Sequence, residues 1–208
     1  MPYQNDPQKC LTGEVRCSYV NVQTPRQING TGKPKYTMTA LIPKTDTATY
    51  NDIQAAMKAA IDKGIVENWG GKRPARLIHT LYDGDGVKPE SGEEWGPECK
   101  GHWVLRMSAN EGQKPQVVGM DNINVELDPR DVYSGMYARV TVRFYPYRHD
   151  TGKCGIGCGL GNILKTRDGE PLAGGASAAS DFAGIGASPT ATQGAVTGGI
   201  NPVTGLPM

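Results

Sequence analysis

The stretch GMYARVTVRFYPYRHDTGKCGIGCGLGNILKTRDG, residues 135–169, decides the fold. Its first half alternates with period two. Val140, Val142 and Phe144 fall on one side, and Arg139, Thr141, Arg143, Tyr145 and Tyr147 on the other. Successive side chains of a strand point to opposite faces, so the spacing predicts one apolar face and one basic-aromatic face. The apolar face requires a core. The other offers rings that can stack on bases and cations that can track phosphates, the combination that suits single-stranded nucleic acid. The same pattern also describes the wet side of an ordinary antiparallel strand, so it does not by itself assign a function. Asp150-Thr151-Gly152 is a hairpin signal. The return strand, Cys154 to Lys165, carries Gly155, Gly157, Gly159 and Gly161 at every second position. A strand places all four on one bare face that a ring, a base or another backbone can approach, while Cys154, Ile156, Cys158 and Leu160 face the core.

Working outward, Thr12 to Val22 and Tyr36 to Ile42 read as two further strands, joined by a long loop, residues 23–35, that carries Arg26, Lys33 and Lys35. Residues 1–11 read as polar and loose. A helix is expected from Asp46 to Lys63, with Thr45 or Asp46 as its cap and Gly64 closing it. Tyr50, Ile53, Met57, Ala60 and Ile61 form its apolar stripe. WGGKRPAR, residues 69–76, is a basic turn with an exposed-looking tryptophan. Arg76 to Tyr82 is a short strand, 87–101 a polar loop, His102 to Ser108 a strand, and Gln116 to Met120 another. After Leu172 the composition changes: residues 173–208 contain no Lys or Arg and one acid, Asp181. Such a segment lacks the apolar area to offset ordering entropy and is expected to be disordered, leaving residues 1–172 as the folded domain.

Composition narrows the function less. The 208 residues fit one sizeable domain with an appendage, and the net charge of +1 says nothing of nucleic acid; only the distribution of charge does. Five cysteines, with no apolar leader and no run long enough to span a bilayer, point to free thiols in a reducing cytoplasm. Cys154-x3-Cys158 has the wrong spacing for a zinc knuckle and places both thiols on the buried side. Asp83-Gly84-Asp85-Gly86 starts like a calcium loop but reads as a tight acidic turn. The glycine row is flanked by strand signals and does not open a dinucleotide-binding helix. His79, His102 and His149 stand far apart, with no nucleophile beside any of them. No catalytic residues, metal ligands or cofactor are therefore expected, and a binding protein is the leading reading. A virion or scaffold protein is the second. The third is a metal-dependent nuclease, for which Asp83 and Asp85 are the available carboxylates.

Taken together, YTMTALIPKTD (36–46), YDGDG (82–86), SGMYARVTVRFYPY (134–147), GIGCGLGNILKTRDGEPLAGG (155–175) and Ser180-Asp181-Phe182 resemble the single-stranded-DNA-binding proteins of tailed bacteriophages, a family with an OB-fold barrel. The resemblance runs in order through nearly the whole body. It implies a mainly β barrel with one main helix, acting in phage replication or recombination in the cytoplasm of the infected bacterium. The partners it implies are single-stranded DNA, replication proteins of phage or host, and no membrane. Stacking and phosphate contacts serve RNA equally, and only a contact to the 2′-hydroxyl separates the two. The family's aromatic-basic strand maps onto Tyr137, Arg139, Tyr145 and Tyr147. The full set expected to contact DNA adds Arg26, Lys33, Lys35, Tyr36, Lys72, Arg73, Arg76, Arg143, Arg148, Lys153, Lys165 and Arg167. One departure stands out. The family's acidic tail ends in an aromatic residue and recruits partners, whereas here Asp181-Phe182 is followed by 26 residues with no acid cluster. That role is not carried over.

Overall fold

The computed structural model describes residues 2–3, 5–28 and 31–172. The expectation of a disordered tail over 173–208 lies outside them. The described residues carry nine strands and one α-helix: β1 Pro2–Tyr3, β2 Asp6–Leu11, β3 Val15–Ile28, β4 Thr31–Pro43, α1 Thr47–Glu67, β5 Leu81–Asp83, β6 His102–Asn110, β7 Val117–Gly119, β8 Tyr137–Arg148 and β9 Cys154–Arg167. Five of them close on themselves. β3 pairs β4, β4 pairs β6, β6 pairs β9, β9 pairs β8, and β8 pairs β3 again. All these pairings are antiparallel except β6–β9. A five-stranded barrel closed in this way is the OB-type architecture the resemblance implied.

The core fills the barrel from alternate positions. Ala138, Val140, Val142 and Phe144 of β8 are buried, facing Ile156, Cys158, Leu160 and Ile163 of β9. Leu105, Met107 and Ala109 of β6 join them. The other face of β6 has its own cover. Val104 packs with Leu41, Trp95 and Cys99, so the polar loop of residues 87–101 is folded down over a second, smaller apolar cluster. Helix α1 is capped by Asp46, whose side chain accepts the Thr49 N–H at 3.0 Å. Its stripe of Ile53, Met57 and Ala60 is buried, and the helix lies against β2 and β8.

Five local expectations are corrected. Residues 6–11 are not loose: β2 pairs β8 from Lys9↔Arg143 to Leu11↔Thr141. Its buried positions are Gln8 and Cys10, and buried Thr12 follows it. Gln8 Nε2 donates to the Phe144 carbonyl at 2.9 Å, and Thr12 Oγ1 accepts the Val140 N–H at 2.9 Å. Residues 23–28 and 31–35 are not loop but the continuation of β3 and β4 into a β-ribbon, with register shifts between Ser18 and Asn21, Asn21 and Arg26, and Arg26 and Ile28. Gly64 does not end the helix, which runs on to Glu67. It is a point of close approach: a Cβ there would stand 2.7 Å from Pro146 Cβ and 2.7 Å from the Trp69 ring. Trp69 is accordingly buried, not exposed, and its Nε1 donates to the Tyr147 carbonyl at 3.2 Å. The strand expected over 76–82 shrinks to Leu81–Asp83 plus one bridge, Ile78↔Gly155.

Candidate nucleic-acid interface

The parity read from the sequence holds along β8. Arg143 and Tyr145 are exposed while Phe144 between them is fully buried. Pro146 breaks nothing, because the β8–β9 register runs without a shift from Arg143↔Gly159 to Arg148↔Cys154. The irregularities lie earlier, at Tyr137/Ala138 and Val140/Val142. Each tyrosine faces a glycine across the hairpin: Tyr145↔Gly157 and Tyr147↔Gly155. A Cβ on Gly157 would stand 2.4 Å from Tyr145 Cζ, and one on Gly155 2.6 Å from Tyr147 Oη and 2.7 Å from its Cζ. The rings therefore lie down on the bare backbone of β9. Tyr145 is 38% exposed. Burial is the main cause that pushes both phenols above their ordinary pKa, so they stay neutral throughout the physiological range. A neutral ring seated on backbone and open to solvent is a platform on which a base can stack.

Clefts open on both sides of Tyr145. One, of about 540 Å³, is bordered by Lys9 of β2, Arg143 and Thr141 of β8, Asn162 of β9 and Lys114 beyond β6. The other, of about 410 Å³, is bordered by Tyr19 and Asn21 of β3, Thr39 of β4 and Arg106 of β6. Tyr145 and Ser108 belong to both. A third, of about 470 Å³, is bordered by Pro74, Arg76, Ile78, Lys153 and Cys154. The Ile78↔Gly155 bridge sets it next to the strand pair that holds Tyr147.

The residues expected from the sequence to contact DNA separate into two groups. Arg143, Tyr145 and Tyr147 come together on the β8–β9 face, with Arg76 and Lys153 at the third cleft. Arg143 is held at 2.8 Å by Asp6, which borders the same cleft. Lys72 and Arg73 are exposed in the segment after α1, and Arg148 at the end of β8. Arg26 and Lys35 are register partners on the ribbon, with exposed Lys33 beside them.

The second group is turned inward or already engaged. Tyr36 is 7% exposed and belongs to the core, so it offers no ring to a ligand. Arg139 Nε donates to the Thr12 carbonyl at 3.2 Å. At the far end of the hairpin, the Arg167 guanidinium lies 3.4 Å from the Tyr137 ring centroid and donates to Glu14 at 2.8 Å. Lys165 sits 2.7 Å from Asp168 and donates to the Asp131 carbonyl at 2.9 Å. The Arg167 hydrogen bond holds the Glu14 carboxyl below its usual range, and Lys165, then Tyr133, do the same for Asp168. Tyr137, Lys165 and Arg167 thus tie the barrel together at that end. Lys9, Lys114, Tyr19 and Arg106, which the sequence reading passed over, border the clefts instead, Lys114 paired with Glu126 and Arg106 with Glu90.

The acidic turn has a structural task. Lys44 Nζ lies 2.5 Å from Asp83 and 2.6 Å from Asp85, and Asp85 also accepts the Gly101 N–H at 2.8 Å. The hydrogen bonds from Lys44 hold both carboxyls below the ordinary aspartate range and raise the Lys44 ammonium in turn. Lys44 also caps a small stack, 4.9 Å from the Trp103 ring centroid, while Trp103 and Tyr50 stack at 4.7 Å. Among the described residues, no group of three or more His, Cys, Asp or Glu side chains is gathered as a metal site.

The family model described as the single-stranded-DNA-binding protein of Enterobacter phage Enc34 matches residues 8–194. The p50 protein of Acyrthosiphon pisum secondary endosymbiont phage 1 is 26% identical over 170 residues, covering 80% of this chain and 88% of that protein. Among solved structures, the single-stranded DNA-binding protein of bacteriophage Enc34 in complex with single-stranded DNA is 26% identical, with a TM-score of 0.67 over 80% of this chain and 90% of that one. The gp2.5 single-stranded DNA binding protein of bacteriophage T7 shares the fold, at 12% identity and a TM-score of 0.54 over 87% of this chain and 96% of that one. With most of its length matched, from the second strand through the whole barrel, this chain belongs to the family of the Enc34 phage single-stranded-DNA-binding protein.

Proposed function

We propose that this protein binds single-stranded DNA without sequence preference, in phage DNA replication or recombination, in the cytoplasm of the infected bacterium. The observation that carries the reading is the seating of Tyr145 and Tyr147 on Gly157 and Gly155, with Lys9, Arg143 and Lys114 around the adjoining cleft. Every base has a π-face, so stacking on those rings is tolerant of sequence, and the cations take the phosphates. Membership of a family described by single-stranded DNA binding supports the same reading. No helix among the described residues is long and apolar enough to cross a membrane.

The action is binding, not catalysis. Asp83 and Asp85, the carboxylates a nuclease would have used, are both occupied by Lys44. Fluorescence titration with poly-dT, with and without Mg²⁺ and across a range of salt, tests the proposal. Binding should weaken with salt, by about 0.7 in the slope of log K against log salt for each phosphate neutralised, and the strand should be recovered intact. Absence of binding at low salt would favour a virion or scaffold role. Loss of strand in Mg²⁺ would favour a nuclease. A parallel titration with poly-U compares RNA with DNA.

A further inference from the structure

Tyr19 is the one described non-glycine residue with a positive φ, at 48°. L-residues avoid that region, and when one is needed there Asn, Asp or Gly fits with less strain than a tyrosine. The residue sits where β3 slips register against β4, between Ser18 and Asn21. The slip is held on both sides. Asn21 Nδ2 donates to the Tyr19 carbonyl at 3.1 Å and to Thr37 Oγ1 at 3.3 Å, and the Val20 N–H donates to Ser134 Oγ at 3.0 Å. The slip turns Val22 and, in part, Val20 into the core, but the Tyr19 ring itself takes no part in that packing and is 67% exposed. A bulge that aims an exposed ring outward and is fixed by its surroundings points to a binding role for that ring.

The cavity beside it points to the ligand. Tyr19 borders the same 410 Å³ space as Tyr145. The rest of that wall sets small polar groups, among them Asn21, Thr37, Thr39 and Ser108, in a mainly apolar surface to which Met38 and Met107 contribute. A hydroxyl can donate or accept, so such a lining can meet the edge of any base without selecting one. We propose that Tyr19 is a second stacking platform, and that the cavity it shares with Tyr145 seats a nucleobase of the bound strand. This rests on the DNA-binding reading and extends the contact surface from β8–β9 across to β3.

Tyr19→Gly is the informative variant, because it removes the ring and fits the backbone at once. Melting temperature and poly-dT affinity are measured on wild type, Tyr19→Gly, Tyr19→Phe and Tyr19→Trp. Tyr19→Gly should melt like wild type and bind roughly 5- to 150-fold more weakly, the range expected for one lost stack. Tyr19→Phe should bind like wild type, and Tyr19→Trp should gain a fluorescence signal that is quenched by dT. Should Tyr19→Gly fold poorly, Tyr19→Asn, which also tolerates this conformation, makes the same comparison. Wild-type affinity in a folded Gly or Asn variant overturns the proposal while leaving the DNA-binding reading in place. Failure of the wild type to bind poly-dT overturns that reading, and the Tyr19 platform falls with it.

Discussion

The ring of Tyr145 lies on Gly157, its partner across the β8–β9 hairpin, so closely that a Cβ on Gly157 would stand 2.4 Å from Tyr145 Cζ. The glycine is what lets the ring lie down. One residue back, Phe144 points the opposite way into the core with no exposed surface. A single strand thus carries core and candidate binding face on neighbouring residues, and each can be tested separately.

Gly157→Ala should lift the Tyr145 ring from its seat, since the new methyl group would overlap Cζ, Cε2 and Oη at the far end of that side chain, which must swing away. Poly-dT affinity should fall by up to about 1–3 kcal/mol, the worth of one stack. The coupling can be isolated: in a Tyr145→Ala background, Gly157→Ala should cost no further affinity. Additive losses in the double variant would mean that the glycine acts independently of the ring.

Asp6 holds Arg143 at 2.8 Å beside the larger cleft, where it competes with phosphate for the guanidinium. Asp6→Asn should therefore tighten poly-dT binding. Arg143→Ala should weaken it and make the salt slope shallower by about 0.7, the contribution of one phosphate contact on a single strand. Titrations at several salt concentrations read both effects. An Asp6→Asn protein that binds no better than wild type would place Arg143 off the path of the strand.

The alternation in residues 137–145 gave the correct faces of β8, and the glycine spacing the correct face of β9, because both are period-two signals read within one strand. Tyr36 was legible on the same rule: it shares parity with Met38, Ala40 and Ile42, and all four are buried. β2 was hidden. Gln8 within it and Thr12 just after it are buried, and backbone partners, the Phe144 carbonyl, the Val140 N–H and the Gly13 carbonyl, make that burial favourable. Which cations are free was not legible either. Arg167 is taken by Glu14 and Arg143 by Asp6, acids more than a hundred positions away in the chain. Along the long ribbon Pro25, Gly32 and Pro34 are turn residues, which signal a loop in sequence. At a ribbon with shifting register the same residues are tolerated.

The Lys44 clamp predicts a specific response to acid. Asp83 and Asp85 have folded pKa values lowered by Lys44, beneath the ordinary aspartate value of about 3.9. Lowered carboxylates contribute stability that is present above the unfolded value and lost as pH falls through the folded ones. Lys44→Met should raise both titrations and make the protein lose stability at higher pH than wild type. Carboxyl NMR titration of the two aspartates, with acid melting curves beside it, measures this. Unchanged titrations would mean that the Lys44 contacts are not kept in solution.

The account turns on which way β8 faces, and Phe144→Ala against Tyr145→Ala tests that directly, with melting temperature and poly-dT affinity measured on both. Phe144→Ala should cost about 3–5 kcal/mol of stability and impair binding only through unfolding. Tyr145→Ala should weaken binding by about 1–3 kcal/mol and leave melting nearly unchanged. A Tyr145→Ala protein that melts normally and binds poly-dT with wild-type affinity would contradict the platform, and with it the proposed site.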